Sequence, residues 1–159
     1  MDSQKYHKKE IARTQLHTAI LLFLQKEEFA SAITLAGAAS NILGQFVKIE
    51  GKKPFLDYAR DIHNHLIGNI PGRASYNHHI DKKLGVSFLK HMNSDDAEII
   101  ELDLKDCAAG TIIRALNDYT KLYGSDEPLV KAFYNWTWKN MNGPLMMEEY
   151  RNSGFREKK

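Results

Sequence analysis

EFASAITLAGAASNILGQFV, residues 28–47, is the stretch that decides the fold class. Wound as a helix at about 100° per residue, it leaves one polar strip, Thr34, Asn41, Gln45 and Lys48, on a cylinder otherwise apolar or small. Gly37 and Gly44 lie one heptad apart beside Ile33, so a neighbouring helix backbone can come close there. Such a helix belongs at the centre of a bundle, with the other segments arranged around it.

Working outward, the spacing predicts a first helix from about Gln4 to Lys26. Its inner face carries Ile11, Ala12, Leu16, Ala19, Ile20, Leu22 and Phe23, with Arg13, Thr14, His17 and Thr18 opposite. A third helix is expected over Phe55–Ile67, facing inward through Phe55, Ala59, Ile62 and Leu66. The Gly, Pro, Ser and Asn content of GNIPGRASYN, residues 68–77, reads as a loop, with Asn77 capping a fourth helix that runs to about His91. Ile100, Leu102 and Leu104 alternate with Glu101 and Asp103, so a short extended crossover is expected near residues 98–104. Asp103 or Asp106 can cap the next helix, whose stripe is Ala108, Ile112, Ala115, Leu116, Tyr119 and Tyr123 and whose stop is Gly124. Pro128 opens the last strong helix, ending near Asn142. The expectation is therefore an all-α, single-domain bundle of five or six helices over residues 1–143, followed by a loosely held tail, residues 144–159.

The composition excludes several classes of function. With 159 residues, 43% hydrophobic and 26% charged, the chain has a globular balance and length enough for a real core. A net charge of +2 with scattered Lys and Arg lacks the concentrated basic face of a dedicated nucleic-acid binder. Cys107 is the only cysteine, and the start MDSQKYHKKE lacks the apolar run of a signal peptide. Apolar runs such as Ile20–Leu24 are too short to span a bilayer. A cytoplasmic protein without membrane association is expected.

Five of the seven histidines lie between His63 and His91, which raises the question of a metal. The pairs His63/His65 and His78/His79 diverge on a helix by about 200° and about 100°, so neither presents two ligands together. Neither the paired Glu-x-x-His of di-iron bundles nor His-Glu-x-x-His occurs. No metal site and no cofactor are expected.

Arg60 and His65, and again Arg73 and His78, are separated by four residues. That combination can serve phosphodiester cleavage, the guanidinium stabilising the transition state while the imidazole moves protons. On a continuous helix, however, Arg60 and His65 point about 140° apart. His91 falls in the middle of the face formed by Ile80, Leu84, Ser87 and Phe88, which turns its imidazole inward at a helix end. One reading is a core histidine favoured by the negative end of the helix dipole. The other is a cleft-lining histidine with Lys90, Asn93 and Asp95 as binding residues. In the last helix, Leu129, Phe133 and Trp136 form one stripe, with Tyr134, Trp138 and Met141 beside it. This apolar arc of about 200° exceeds one core contact and suggests a homodimer through Tyr134, Trp136, Trp138 and Met141.

The segments Gln15-Leu16-His17-Thr18-Ala19-Ile20, Ser31-Ala32-Ile33-Thr34-Leu35-Ala36-Gly37-Ala38-Ala39 and Phe88-Leu89-Lys90-His91 resemble a family of small bacterial helical proteins with an Asn-Phe-Phe-Lys-His-Ala-Asp-type signature. Ala32-x-x-Leu35-Ala36-x-x-Ala39 before Ile42-Leu43 is also similar to the HEPN superfamily of helical bundles. The HEPN resemblance implies an all-α bundle, often dimeric. Active members are metal-independent ribonucleases of toxin and antiviral systems, using an Arg-to-His motif across a dimer cleft. Others are non-catalytic partners of nucleotidyltransferases. Matching His91 to the motif histidine puts Leu84 or Val86 where the arginine is expected, and Ser40-Asn41 stands where an acidic residue is common. The expectation is a non-enzymatic interaction module of HEPN-like type, with a nucleotidyltransferase or antitoxin as partner. The alternative is a HEPN-type ribonuclease acting on RNA through His91, or through Arg60 with His65.

Overall fold

A computed structural model describes residues 3–154. Among these it contains seven α-helices and no strand: α1 (Lys8–Leu21), α2 (Phe29–Ile49), α3 (Phe55–Ile67), α4 (Arg73–Lys83), α5 (Leu104–Tyr123), α6 (Pro128–Asn140) and α7 (Gly143–Asn152). The all-α expectation is met; the expected count of five or six is corrected to seven, because residues assigned to a tail form α7.

α2 is the hub. Ala32, Ile33, Ala36, Ala39, Leu43 and Val47 are fully buried, and its main neighbours are α5 and α1. Among the described residues it is the single helix long and apolar enough to cross a membrane, and much of its surface is buried inside the fold. Opposite it, α5 contributes Ile112, Ala115, Leu116 and Tyr119, and α1 contributes Leu16, Ala19 and Ile20, all fully buried. Gly37 explains one close approach: a Cβ there would lie 2.9 Å from Cγ1 of the buried Val86.

Local chemistry sets the helix ends. His7 caps α1 by accepting the Lys9 N–H on Nδ1 at 3.1 Å, so the helix begins at Lys8, four residues after the expected start. α1 continues into a π-helical turn, Leu22–Lys26, closed by Glu27 at φ 55°. Asp103 rather than Asp106 caps α5, accepting the Asp106 N–H at 2.9 Å, and Gly124 ends it.

Two expectations fail in the middle of the chain. α4 begins at Arg73, inside the expected loop, because tertiary contacts hold that turn. Arg60 donates from Nε and Nη2 to the Pro71 carbonyl at 3.2 and 2.9 Å, and Arg73 pairs with Asp57 at 3.0 Å. α4 then stops at Lys83 instead of running to His91. Gly85 takes φ +75°, breaking the helix, and packs so closely that a Cβ would meet Leu102 Cδ1 at 3.0 Å. The following residues form turns, and 97–103 cross without helix to α5, in keeping with the expected extended segment near 98–104.

α3 and α4 form an outlying hairpin with no fully buried residue. It is tied to the core by polar contacts. Asp118, itself buried on α5, accepts the Phe55 N–H at 2.7 Å and so caps α3, whose own cap position is occupied by Pro54. The buried Arg114 pairs with Asp81 of α4.

Candidate functional site

The histidine-centred site does not assemble as the sequence predicts. His91 lies beyond the end of α4 in an exposed turn, so its imidazole does not face the core; Gly85 removed the helix that would have aimed it. Lys90, Asn93 and Asp95 are exposed beside it. Asn93 donates its backbone N–H to Asp96 Oδ2 at 2.7 Å and its side-chain amide to the same oxygen at 3.1 Å, and the Ser94 hydroxyl donates to Asp95 Oδ1 at 3.2 Å. These residues thus make a locally closed turn. Arg60 is engaged by the Pro71 carbonyl and lies 3.7 Å from Asp57. His65 Nε2 meets the Ser153 carbonyl at 3.0 Å, tying α3 to the end of α7. Arg60 and His65 therefore turn to different parts of the fold, as their helical spacing implies.

A different constellation forms where the sequence reading saw an outer face. Arg13 and His17, one turn apart on α1, converge with Tyr119 of α5 on Glu127, just before α6. Glu127 Oε1 accepts from Arg13 Nη2 at 2.8 Å and from the Tyr119 hydroxyl at 2.6 Å, while Oε2 lies 2.8 Å from His17 Nε2. Tyr123 stacks on Tyr119 with ring centroids 4.7 Å apart and donates to Glu10 Oε1 at 2.8 Å. Burial opposes the Glu127 charge, but the Tyr119 hydrogen bond and the cations outweigh it, holding the carboxyl below its ordinary range. Burial and then the Glu10 hydrogen bond push the Tyr123 phenol up to about 12. Each of these groups is bonded to another, which is the construction of a clamp joining α1, α5 and α6. The i, i+4 spacing of Arg13 and His17 was its only signal in the sequence.

The residues predicted to form an interface come together at α6 and α7. Trp136 turns inward and packs edge-on to Phe23 with centroids 4.6 Å apart. Tyr134, Trp138 and Met141 instead line a groove of about 330 Å³ with Ile113, Thr137, Gly143, Met146 and Met147. Its lining is almost wholly apolar side chain. Trp138 covers Gly143 so closely that any Cβ there would overlap the indole, which is why the chain can fold α7 back against α6.

α7 also leaves apolar side chains exposed, two of them the groove-lining Met146 and Met147. Leu145, Met146 and Met147 are consecutive, spread over about 200°, so one neighbouring helix covers only part of them. They and Tyr150 remain 41–51% exposed, and Trp138 is 52% exposed. Pro144 is the missed signal: it sits in the first turn of α7, where its absent N–H costs nothing.

Among the described residues, no group of three or more His, Cys, Asp or Glu side chains could hold a metal ion. No protein-family model matches this chain, and no curated protein or solved structure is significantly similar to it.

Proposed function

We propose that this chain is a cytoplasmic, non-enzymatic interaction module, a helical bundle of HEPN-like type that pairs with a second copy of itself through α6 and α7. The observation that carries this reading is an exposed apolar surface: the groove under Trp138, whose wall includes Met146 and Met147, with the exposed Leu145 and Tyr150 on the same helix α7. An apolar surface of this kind can meet its own copy across a two-fold axis, each burying the other's exposed side chains. Methionine thioethers are flexible and polarisable, which suits a groove that must close around an incoming side chain. The engagement of Arg60 and His65 by carbonyls of the same chain also supports binding over RNA cleavage.

The test is the mass of the protein in solution by light scattering or sedimentation, together with an RNA cleavage assay. The wild type should be dimeric, and Trp138→Glu or Met146→Glu should be monomeric with helix content unchanged. A wild-type monomer at all accessible concentrations would remove the self-pairing reading. If the monomer instead binds a nucleotidyltransferase or antitoxin through this surface, the module stands with a different partner. RNA cleavage lost in both Arg60→Ala and His91→Ala would replace the proposal with the ribonuclease reading.

A further inference from the structure

Between α4 and α5 the chain crosses in a segment that belongs to no helix, and residues 99–103 are its last stretch. Ile100 and Leu102 alternate there with Glu101 and Asp103, the two-residue spacing of a strand. Leu102 packs against the hydrophobic core and Asp103 caps α5, so the segment is pinned at that end. Ile99 is 89% exposed, and Glu98, Glu101 and Asp103 are exposed with it. No backbone N–H or C=O of residues 98–102 forms a hydrogen bond with any described residue. A pinned, extended segment with unpaired main-chain groups is what a strand edge offers to an incoming chain.

The side chains add a sign. Five carboxylates, Asp95, Asp96, Glu98, Glu101 and Asp103, stand between Met92 and Leu104, with no Lys, Arg or His among them. Glu98 and Glu101 form no ion pair with a described residue. A second copy of this segment is the wrong occupant, because pairing two of them crowds like charges together.

We propose that residues 99–103 are a docking edge for a basic, extended segment of another protein, which adds beside them as an antiparallel strand. Main-chain hydrogen bonds hold the incoming chain, and its side chains set the specificity. Directly opposed residues of an antiparallel pair share a face. Lys or Arg on the partner therefore meets Asp103 and Glu101, while β-branched apolar residues meet Leu102, Ile100 and Ile99. Glu98, just before the strand, takes one further cation. In the partner's own direction the complement reads Lys-Val-Lys-Val-Val-Lys.

That peptide, capped at both ends and titrated into the full-length protein, tests the proposal by calorimetry and amide hydrogen exchange. Binding should be saturable, should weaken as salt is raised, and should slow exchange at the amides of residues 99–103. Alternate backbone nitrogens of one strand point to one edge, so the peptide is also methylated on each alternate set in turn. One set alone should cost about tenfold or more in affinity. Glu98→Lys combined with Glu101→Lys should weaken the parent peptide by a similar factor, with helix content unchanged. The peptide series decides even where that variant is misfolded. Equal binding of the parent and both methylated peptides would reduce the contact to charge alone. No binding, or protection confined to another segment, would leave no docking edge here. Each of these results overturns the proposal.

Discussion

Glu127 shows how much one side chain can organise. Its carboxylate accepts from Arg13 and Tyr119 and lies beside His17, joining three helices through residues distant in the sequence. Glu127→Ala leaves the Tyr119 hydroxyl and the Arg13 guanidinium without that acceptor, and should lower unfolding stability by about 1–3 kcal/mol in urea titration. The same residue sets an acid limit. Its folded-state pKa is depressed, so its stabilisation is complete above the ordinary glutamate value of 4.5 and is lost as pH falls through the lower folded value. Thermal melting should therefore show wild type losing its advantage over Glu127→Gln as pH drops below that ordinary value. An unchanged difference between the two proteins at acid pH would show that the clamp contributes no pH dependence.

Among the elements, the glycines that matter lie between packed side chains. Gly37 sits under Val86, whose Cγ1 is 2.9 Å from where a Cβ would stand. Gly37→Ala gains up to about 1 kcal/mol of helix propensity but overpacks the core at a cost of about 1–3 kcal/mol, so a net loss is expected. With Val86→Ala already in place, the same change should turn neutral or stabilising. A double-mutant cycle on equilibrium unfolding measures that coupling. Gly143 plays the corresponding part at α7. Gly143→Ala should push the Trp138 indole off the helix start, seen as a red-shifted tryptophan emission and new protease cleavage between α6 and α7. Helix ends were legible where a side chain acts locally, as with Asp103, Gly124 and Pro128. The expected ends differ from the observed ones around Gly72 and Gly85, where Asp57, Arg60 and Leu102 reach in from elsewhere.

Across the whole molecule, stability is unevenly distributed. α2 and α5 hold most of the buried residues, while α3 and α4 have no fully buried residue and hang on Asp118 and Arg114. Hydrogen exchange should accordingly find α3 and α4 opening at lower free energy than α2 and α5. Equal protection across all four would mean that the hairpin belongs to one cooperative core. If the α6–α7 surface pairs two copies, the melting temperature should rise with protein concentration for wild type and stay constant for Trp138→Glu.

The 3.6-residue spacing of apolar side chains was enough to establish an all-helical chain and to pick out residues 28–47 as its centre, because that pattern acts within a single helix and shows whichever way the helix packs. The same pattern placed Tyr134, Trp138 and Met141 on one surface. Position in space was another matter. Whether His91 faces inward depends on α4 stopping before Gly85, which has φ +75° and where any Cβ would meet Leu102 from a distant part of the chain. The meeting of Arg13, His17, Tyr119 and Glu127, and the convergence of Arg114 with Asn41 and Asp81, depend on which helices become neighbours. Only the folded chain brings such residues together, since burial of apolar surface chooses the neighbours and polar groups then take the partners they find.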